Sequence, residues 1–323
     1  MASPASEGAR SIVPRRIRAV RLHEFGSGPV VDELPAPGRP GPGEVVIDVS
    51  AAGIGAWDLG VRDGRLARFV PDELPFTMGA ELAGRVREVG ADVGGLAPGD
   101  RVVANPGIAG AWADVVRVPA FACGRAPVTL DDEEAATLPV RALTAWQALE
   151  RLDLPRGATL FVCGGGGGVG RAAIELAKGR GLRVLTIAGA DELDRLLRLG
   201  ADDAADHRAG WRRGLAASAP EGVDGVLDLV GGDSLEGALG MLRRGGRAVT
   251  TVSNGRRMAR DDVTVEFLAM KSRTEDLDVL ADVVERGELS ADVAARYPIE
   301  DAAAALDAAM SRNPADGDIL LRL

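Results

Sequence analysis

Five consecutive glycines stand in the middle of the chain, between a segment typical of a β-strand and a segment typical of an α-helix. Residues 158–163 form an apolar run, residues 164–168 are the glycines, and residues 171–178 carry a helical pattern. A flexible linker is the alternative interpretation, but a linker would have polar flanks rather than a buried strand and an amphipathic helix. The sequence therefore predicts a strand, a tight turn and a helix, the unit that binds dinucleotides.

The glycines also have the spacing that dinucleotide binding needs, because Gly165, Gly167 and Gly170 fit the pattern G-x-G-x-x-G. A Cβ atom at such positions would hold the backbone away from a pyrophosphate. The helix that follows presents unpaired N–H groups and the positive end of its dipole to that anion. We expect the loop and the first helical turn to bind the dinucleotide through Gly164, Gly165, Gly167, Gly168, Val169 and Gly170.

Strands and helices alternate on both sides of this loop. The strands predicted at 158–163, 182–188, 224–230 and 246–252 are separated by predicted helices at 169–180, 191–199 and 233–243. Such alternation is typical of a doubly wound parallel sheet with helices on both faces. Before residue 130 the strands are short and end at Gly or Pro, which indicates an irregular β-barrel-like domain. We expect an α/β protein with a disordered extension at 1–14, a Rossmann domain at 138–266, and a barrel-like domain at 15–137 and 267–323.

Composition excludes several classes of function. A chain of 323 residues has room for about two domains, and its net charge of −10 disfavours nucleic acid or an anionic membrane as a partner. No apolar run approaches the ~18 residues of a membrane span, and the first 14 residues lack the apolar core of a signal peptide. The two cysteines, Cys123 and Cys163, disfavour a disulfide scaffold or a cysteine-cluster zinc site, and fit a reducing cytoplasm.

Further motifs point to a known family. Residues 79–102 carry spaced glycines, one glutamate and a terminal G-D-R-V, and segments 143–149, 199–202 and 297–302 follow in register with the glycine loop. In these motifs the chain resembles the medium-chain dehydrogenase/reductase superfamily, specifically its zinc-independent quinone oxidoreductase branch. The resemblance implies a GroES-like barrel domain, hydride transfer with NAD(P)H bound in the cleft between the domains, and a homodimer.

The resemblance also bears on zinc, because zinc-dependent relatives place a cysteine at the position of Gly55 and a histidine at Ala80. Glycine and alanine side chains carry no ligand atom. The two histidines, His23 and His207, stand at no ligand position. We expect no metal. Without a Lewis acid to polarise a carbonyl, an acceptor that takes hydride readily, such as a quinone or an activated alkene, fits better than a simple aldehyde.

The choice of nucleotide depends on the end of the second Rossmann strand. NAD-specific domains usually place a carboxylate there, whereas this chain has Ala188 and Gly189, which leave room for a 2′-phosphate. The resemblance supplies His207 and Arg312 as candidate cations for that phosphate. Glu192 stands where many NADP-dependent relatives have a lysine, and it either repels a phosphate or points to solvent at its helix start. We expect NADP(H) rather than NAD(H).

Other cofactor contacts follow from family position and from the strand ends. Thr144 matches a residue that touches the nicotinamide end, although it could equally cap a helix. Leu229, Thr251 and Val252 lie at the ends of predicted strands, where they should flank the adenosine and the nicotinamide ribose.

The substrate side departs from the family. Quinone reductases often carry Asn and Tyr where this chain has Gly55 and Gly60. Either the two glycines widen the pocket for a bulkier substrate, or the ancestral redox reaction has been lost. Trp57 is a candidate stacking wall of the pocket, with a core or surface tryptophan as the alternative. Arg62 and Arg141 are further pocket candidates, against the default of a surface arginine.

These observations lead to one function and two rivals. The first is a zinc-free, NADPH-dependent oxidoreductase that transfers hydride to a quinone or an α,β-unsaturated carbonyl. The second is a tailoring reductase or cyclase that acts on a bulky secondary metabolite. The third is a nucleotide-binding protein without catalysis.

Overall fold

The computed structural model describes residues 16–252, 262–311 and 317–323. The extension predicted at 1–14 and the candidate cation Arg312 lie outside the described residues. None of the helices in these ranges combines the length and hydropathy that crossing a membrane requires.

The first part of the chain is mostly β-structure. Its strands are β1 (Arg16–Leu22), β2 (Val30–Pro35), β3 (Glu44–Ile54), β4 (Phe76–Thr77), β5 (Leu82–Val89), β6 (Arg101–Ala104), β7 (Val115–Pro119) and β8 (Cys123–Arg125). Helix α1 (Ala56–Arg62) follows β3, and α2 (Asp132–Ala135) follows β8. The strands β2-β1-β4 form one sheet, and β3, β5, β6, β7 and β8 belong to a second, antiparallel one. Alternating Val, Ile and Ala side chains fill the space between them.

The middle of the chain alternates strands and helices. Its elements are α3 (Pro139–Leu152), β9 (Thr159–Cys163), α4 (Gly168–Gly179), β10 (Arg183–Ala188), α5 (Leu193–Arg198), β11 (Asp203–Asp206), α6 (Trp211–Ser218), β12 (Val223–Asp228), α7 (Gly232–Met241), β13 (Leu242–Thr250) and β14 (Thr264–Phe267). All six strands run parallel in the order β11-β10-β9-β12-β13-β14. This is the order of a doubly wound sheet. The strands β10 and β11 are added on one side of β9, and β12 to β14 are added on its other side.

The last part of the chain returns to the barrel-like domain. It consists of α8 (Thr274–Glu285), β15 (Val293–Pro298), α9 (Ala302–Ser311) and β16 (Asp318–Arg322). Strand β16 pairs with β3 and extends the second sheet, while α8 packs on β8 and α3. The predicted fold class, a Rossmann sheet plus a GroES-like barrel domain, is confirmed. The short strands β11 and β14 and the helix α6 were not predicted from the sequence.

Candidate active site

The glycine loop connects β9 to α4 at the carboxyl edge of the parallel sheet. Gly164 has a φ of +90°, a conformation that side chains disfavour. The backbone N–H groups of Gly164 and Gly165 donate to the carbonyl oxygen of Ile187, at 3.2 and 3.0 Å. The loop is therefore held against the end of β10.

The glycines divide into those that the protein's own packing requires and those that face outward. A Cβ atom on Gly165 would overlap the Thr186 hydroxyl, and one on Gly170 would overlap the Gly164 carbonyl oxygen. By contrast, a Cβ on exposed Gly167 would meet nothing closer than 3.8 Å. The inner glycines allow close packing of helix on strand, and the outer ones leave the backbone open to a ligand.

Helix α4 begins at the open side of this loop. Gly167 is its N-cap and has no side chain to accept hydrogen bonds from the first turn. The N–H groups at the start of α4 are thus left to an external acceptor, and the helix dipole favours an anion there. The loop and the start of the helix have the open backbone and unpaired N–H groups that a pyrophosphate needs, while the binding itself stays a prediction.

The predicted strand-end residues meet beside this loop. The Leu229 N–H donates to the Cys163 carbonyl at 3.2 Å, and the Thr251 N–H donates to the Asp228 carbonyl at 3.0 Å. Val252 packs next to the turn after β12, since a Cβ on Gly231 would lie 3.0 Å from its side chain. The carboxyl ends of β9, β12 and β13 therefore form one continuous rim, where ligands bind in open α/β sheets.

The rim is held together by a carboxylate that sequence reasoning missed. Asp228, the last residue of β12, is fully buried and accepts hydrogen bonds from the Gly231 N–H at 2.9 Å and from the Thr250 hydroxyl at 2.7 Å. The sequence feature that could have indicated Asp228 is an aspartate placed directly at the end of an apolar strand.

His207 lies at the end of β11, beside the end of β10. Its Nδ1 is 2.9 Å from the Ala188 carbonyl oxygen, and its backbone N–H donates to the same oxygen at 3.0 Å. The structure thus brings His207 to Ala188 and Gly189, on the side of the loop expected for the adenosine.

Glu192 does not point to solvent, so the second of the two alternatives, an exposed carboxylate at a helix start, is wrong. The residue is only 7% exposed, and its Oε2 accepts a hydrogen bond from the Gly189 N–H at 3.0 Å. The carboxylate lies against Gly166, where a Cβ atom would overlap both of its oxygens. The side chain turns back toward the glycine loop because residues 190–192 form a short 3₁₀ turn that brings it there.

Thr144 lies on α3 and is nearly buried, with its hydroxyl donating to the Val140 carbonyl at 2.6 Å. The Val140 N–H donates to Oε2 of Glu81 at 2.7 Å. The first turn of α3 therefore joins Thr144 to the end of the barrel domain, at the junction of the two domains.

Two buried carboxyls, Glu81 and Asp58, stand close in the sequence to Ala80 and Gly55. Burial raises the pKa of Glu81 to about 8, and the neighbouring carboxylates Asp318 and Asp58 raise it further, while the Val140 N–H and Arg141 oppose the rise. Burial likewise raises the pKa of Asp58 to about 7, against a hydrogen bond from the Gly55 N–H. Both pKa values lie well above those of ordinary carboxyls, and the sequence did not single out Glu81 as part of the site.

The two substrate-side glycines differ. A Cβ on Gly55 would meet nothing closer than Asp58 Oδ2 at 4.0 Å, so space is open there. A Cβ on Gly60 would lie 2.7 Å from Leu66 Cδ1. The idea that Gly60 widens the pocket is wrong, because Leu66 fills the space beside it.

Trp57 belongs to a partly exposed aromatic surface beside Gly55. Its indole N–H donates to the Ile108 carbonyl at 2.9 Å, and its ring lies 6.1 Å from that of Phe69, tilted by 43°. Phe69 is 41% and Ile108 45% exposed. These three residues, which we call the aromatic wall, offer a face on which a flat ring could stack.

The structure places both candidate pocket arginines in ion pairs. Arg62 is 8% exposed and pairs with Asp63 and Asp307, each at 3.0 Å, so it ties α1 to α9. Arg141 pairs with Asp318 at 3.3 Å. Both arginines are buried, so the default expectation of a surface arginine is wrong for each.

Asp318 links the barrel domain to the glycine loop. Besides Arg141, it pairs with Arg171 of α4 at 2.8 Å. Arg171 in turn donates from Nη1 to the Gly166 carbonyl at 3.1 Å. A carboxylate on β16 therefore holds the two buried arginines that flank the loop.

The part of the chain that the structure describes has neither a cluster of metal-ligating side chains nor an exposed thiol. These residues contain no group of three or more His, Cys, Asp or Glu side chains placed to hold a metal ion. Burial raises the pKa of Cys123 to about 12 and that of Cys163 well above its ordinary value, so both thiols are unreactive in the folded chain.

Comparison with known proteins agrees with this architecture. Residues 41–128 match the family model of the alcohol dehydrogenase GroES-like domain, and residues 199–320 match that of zinc-binding dehydrogenases. The chain is 30% identical to a quinone oxidoreductase of Rattus norvegicus, over 95% of this chain and 98% of that protein.

A solved structure and a larger protein extend the comparison. The quinone oxidoreductase of Coxiella burnetii superposes with a TM-score of 0.85 at 26% identity, covering 96% of this chain and 100% of that one. The pikromycin polyketide synthase component PikAII of Streptomyces venezuelae is 36% identical over 260 residues, which are 77% of this chain but 7% of that protein.

Proposed function

The chain belongs to the medium-chain dehydrogenase/reductase superfamily of oxidoreductases, and from this premise we propose that it transfers hydride from a nicotinamide dinucleotide to a quinone or an α,β-unsaturated carbonyl without a metal. The observation that carries the proposal is the glycine loop. Its inner glycines are packed so closely that no side chain fits, and its outer face opens at an uncapped helix start.

The residues present fit a bound dinucleotide. The loop and the first turn of α4 bind the pyrophosphate, the rim formed by Leu229, Thr251 and Val252 flanks the riboses, and Thr144 faces the nicotinamide end. A bound nicotinamide supplies hydride, which is two electrons with one proton, and water supplies the second proton that completes reduction of a quinone to a hydroquinone. The protein contributes orientation of the nucleotide and the acceptor.

The substrate class follows from the residues on the barrel side. Gly55 and Ala80 provide no metal ligand, so the site does not depend on a Lewis acid to activate an acceptor. The aromatic wall of Trp57, Phe69 and Ile108 offers a flat apolar face beside the open space at Gly55. A planar, electron-poor ring or enone suits both features.

The test begins with nucleotide binding and then adds an acceptor. We expect NADH or NADPH to quench tryptophan fluorescence, and 1,4-benzoquinone or 9,10-phenanthrenequinone to oxidise the bound nucleotide. Gly170→Ala should weaken nucleotide binding at least tenfold, because its Cβ would overlap the Gly164 carbonyl. Gly240→Ala is the matched control, since a Cβ at that exposed helical glycine meets nothing within 4 Å.

Each possible result of this test has a distinct interpretation. Binding followed by turnover supports the proposal. Tight binding with no oxidation by any acceptor would mean a nucleotide-binding protein without catalysis. Equal binding by Gly170→Ala and the unmodified chain would remove the observation on which the proposal depends.

A second candidate function is reduction of a bulky enone of the kind that polyketide enzymes process. The open space at Gly55 and the similarity to a polyketide synthase component favour it. Turnover of polycyclic enones with no turnover of simple quinones would select this function. Filling the space with Gly55→Phe should then abolish turnover of the bulky substrate while nucleotide affinity stays unchanged.

A further inference from the structure

Arg68 places a positive charge at the edge of the aromatic wall. It is exposed, and its guanidinium carbon lies 4.6 Å from the centroid of the Phe69 ring. No acidic side chain in the described part of the chain pairs with it. The other two arginines of this segment differ, because Arg62 and Arg65 pair with Asp63 at 3.0 and 3.3 Å. The N–H groups of Arg68 therefore face water or a ligand.

The contact between Arg68 and Phe69 determines where this charge lies. A guanidinium over an aromatic face is attracted by the ring, so the side chain loses part of the rotamer freedom of an exposed arginine. Its planar group can donate two parallel hydrogen bonds to a carboxylate or a similar oxyanion. The wall thus combines an apolar surface with a positioned anion-binding group.

The rest of the aromatic wall is held from behind by the barrel domain. The Trp57 indole N–H donates to the Ile108 carbonyl at 2.9 Å. Ile108 belongs to the loop after β6, and this loop is anchored by Asn105, which is 4% exposed and donates from Nδ2 to the Ala80 carbonyl at 2.6 Å. A ring that stacks on the wall therefore meets side chains that are already in position.

We infer that the aromatic wall and Arg68 together select a planar acceptor that carries an anionic substituent, such as a carboxylate or a sulfonate. The ring of the acceptor stacks on Trp57 and Phe69, and its anionic group pairs with Arg68. The inference rests on the proposed function, to which it adds the charge of the substrate. Because the chain carries a net charge of −10, its overall field repels anions, and binding one requires a local cation.

The exposure of Arg68 limits the size of the effect. Ion pairs at exposed sites contribute up to about 1 kcal/mol, which corresponds to a preference of about fivefold for the charged ligand. Salt should weaken this preference, because the Debye length falls to roughly 4 Å at about 0.5 M ionic strength. Stacking on the wall does not depend on charge, so an uncharged ligand should bind equally at low and high salt.

Isothermal titration calorimetry of the full chain, with NAD⁺ and NADP⁺ both present, measures the preference without turnover. The probes are 2-naphthoate and 2-naphthamide, which have the same ring system and similar shape but differ in charge. We expect 2-naphthoate to bind about fivefold more tightly. Arg68→Gln should remove the difference, and Arg68→Lys, which keeps the charge, should retain part of it. Arg65→Gln is the matched control, because it removes an exposed arginine of the same segment that already pairs with Asp63.

Steady-state kinetics then tests the same residue during turnover, with 1,4-naphthoquinone-2-sulfonate and 1,4-naphthoquinone as acceptors. Arg68→Gln should raise KM for the sulfonate about fivefold, while its kcat and the KM for the uncharged quinone stay unchanged. Phe69→Leu removes the ring that contacts both the acceptor and the guanidinium, so it should raise KM for both quinones. A merely structural role of Arg68 would change both KM values together.

The results that would overturn the inference are specific. Equal affinity for 2-naphthoate and 2-naphthamide, or an undiminished preference in Arg68→Gln that circular dichroism shows to be folded, would exclude Arg68 as the anion-binding group. Failure of both probes to bind a chain that turns over quinones would exclude the aromatic wall as the substrate surface. Failure of the unmodified chain to bind NADH or NADPH would refute the proposed function itself, and the inference with it. Normal turnover without a preference for anions refutes only the role of Arg68.

Discussion

The buried carboxyl of Glu81 predicts a loss of stability as the pH rises. Burial raises its native pKa from 4.5 to about 8. Because the native pKa is the higher one, the unfolded chain releases this proton first. The stabilisation is fully present below pH 4.5 and is lost as the pH rises through 8.

The magnitude follows from the size of this difference. Each pKa unit corresponds to about 1.4 kcal/mol, so full ionisation of Glu81 costs the native state roughly 5 kcal/mol, of which about half falls between pH 6 and pH 9. Both pH values lie above the isoelectric point of about 4.9, where the chain carries net negative charge. Glu81→Gln removes the titration and keeps an oxygen that can accept the Val140 N–H.

Urea unfolding followed by tryptophan fluorescence measures the effect. We expect the unmodified chain to lose roughly 2–3 kcal/mol more unfolding free energy than Glu81→Gln between pH 6 and pH 9. Glu73→Gln, which removes an exposed carboxylate, should follow the unmodified chain. If all three proteins lose stability in parallel, the Glu81 carboxyl does not hold its proton in the native state, and the reasoning fails.

Three further substitutions test other parts of the structure. Asp318→Asn leaves buried Arg141 and Arg171 without their shared carboxylate, which should cost roughly 3 kcal/mol of unfolding free energy in urea; a loss below about 1 kcal/mol would show that other groups hold the arginines. Gly60→Tyr should lower stability by about 2 kcal/mol because Leu66 occupies the space, whereas Gly55→Asn should stay within about 0.5 kcal/mol. Thermal denaturation compares the pair, and equal losses would contradict the difference between the two sites.

The glycine loop could be predicted because its signal is local. A strand, a glycine turn and a helix follow one another along the chain. The residues of each element indicate its backbone conformation without reference to distant partners. The strand ends that meet at the loop follow from the rule that parallel strands share a carboxyl edge. The same reasoning could not find β11, whose sequence Asp203–Asp206 has little β propensity and forms a strand only by pairing with β10.

The errors concern side chains whose positions depend on distant partners. Glu192 has the sequence context of an exposed helix start, and only the packing of the 3₁₀ turn against Gly166 buries it. Gly60 suggests an enlarged pocket until Leu66, from the loop after α1, is seen to fill the space. A glycine in the sequence shows that a side chain is absent, but it does not show which neighbouring side chain occupies the space.

The ion pairs of Asp318 connect strand β16 mechanically to the glycine loop. Strand β16 pairs with β3 in the barrel domain, while its first residue holds Arg171, which is bonded to the loop carbonyl of Gly166. A rotation of one domain against the other must therefore either break these pairs or pull the loop with it. If a dinucleotide binds at the loop, as proposed above, we expect a substitution in β16 to change how fast the nucleotide leaves, although β16 itself lies outside the loop.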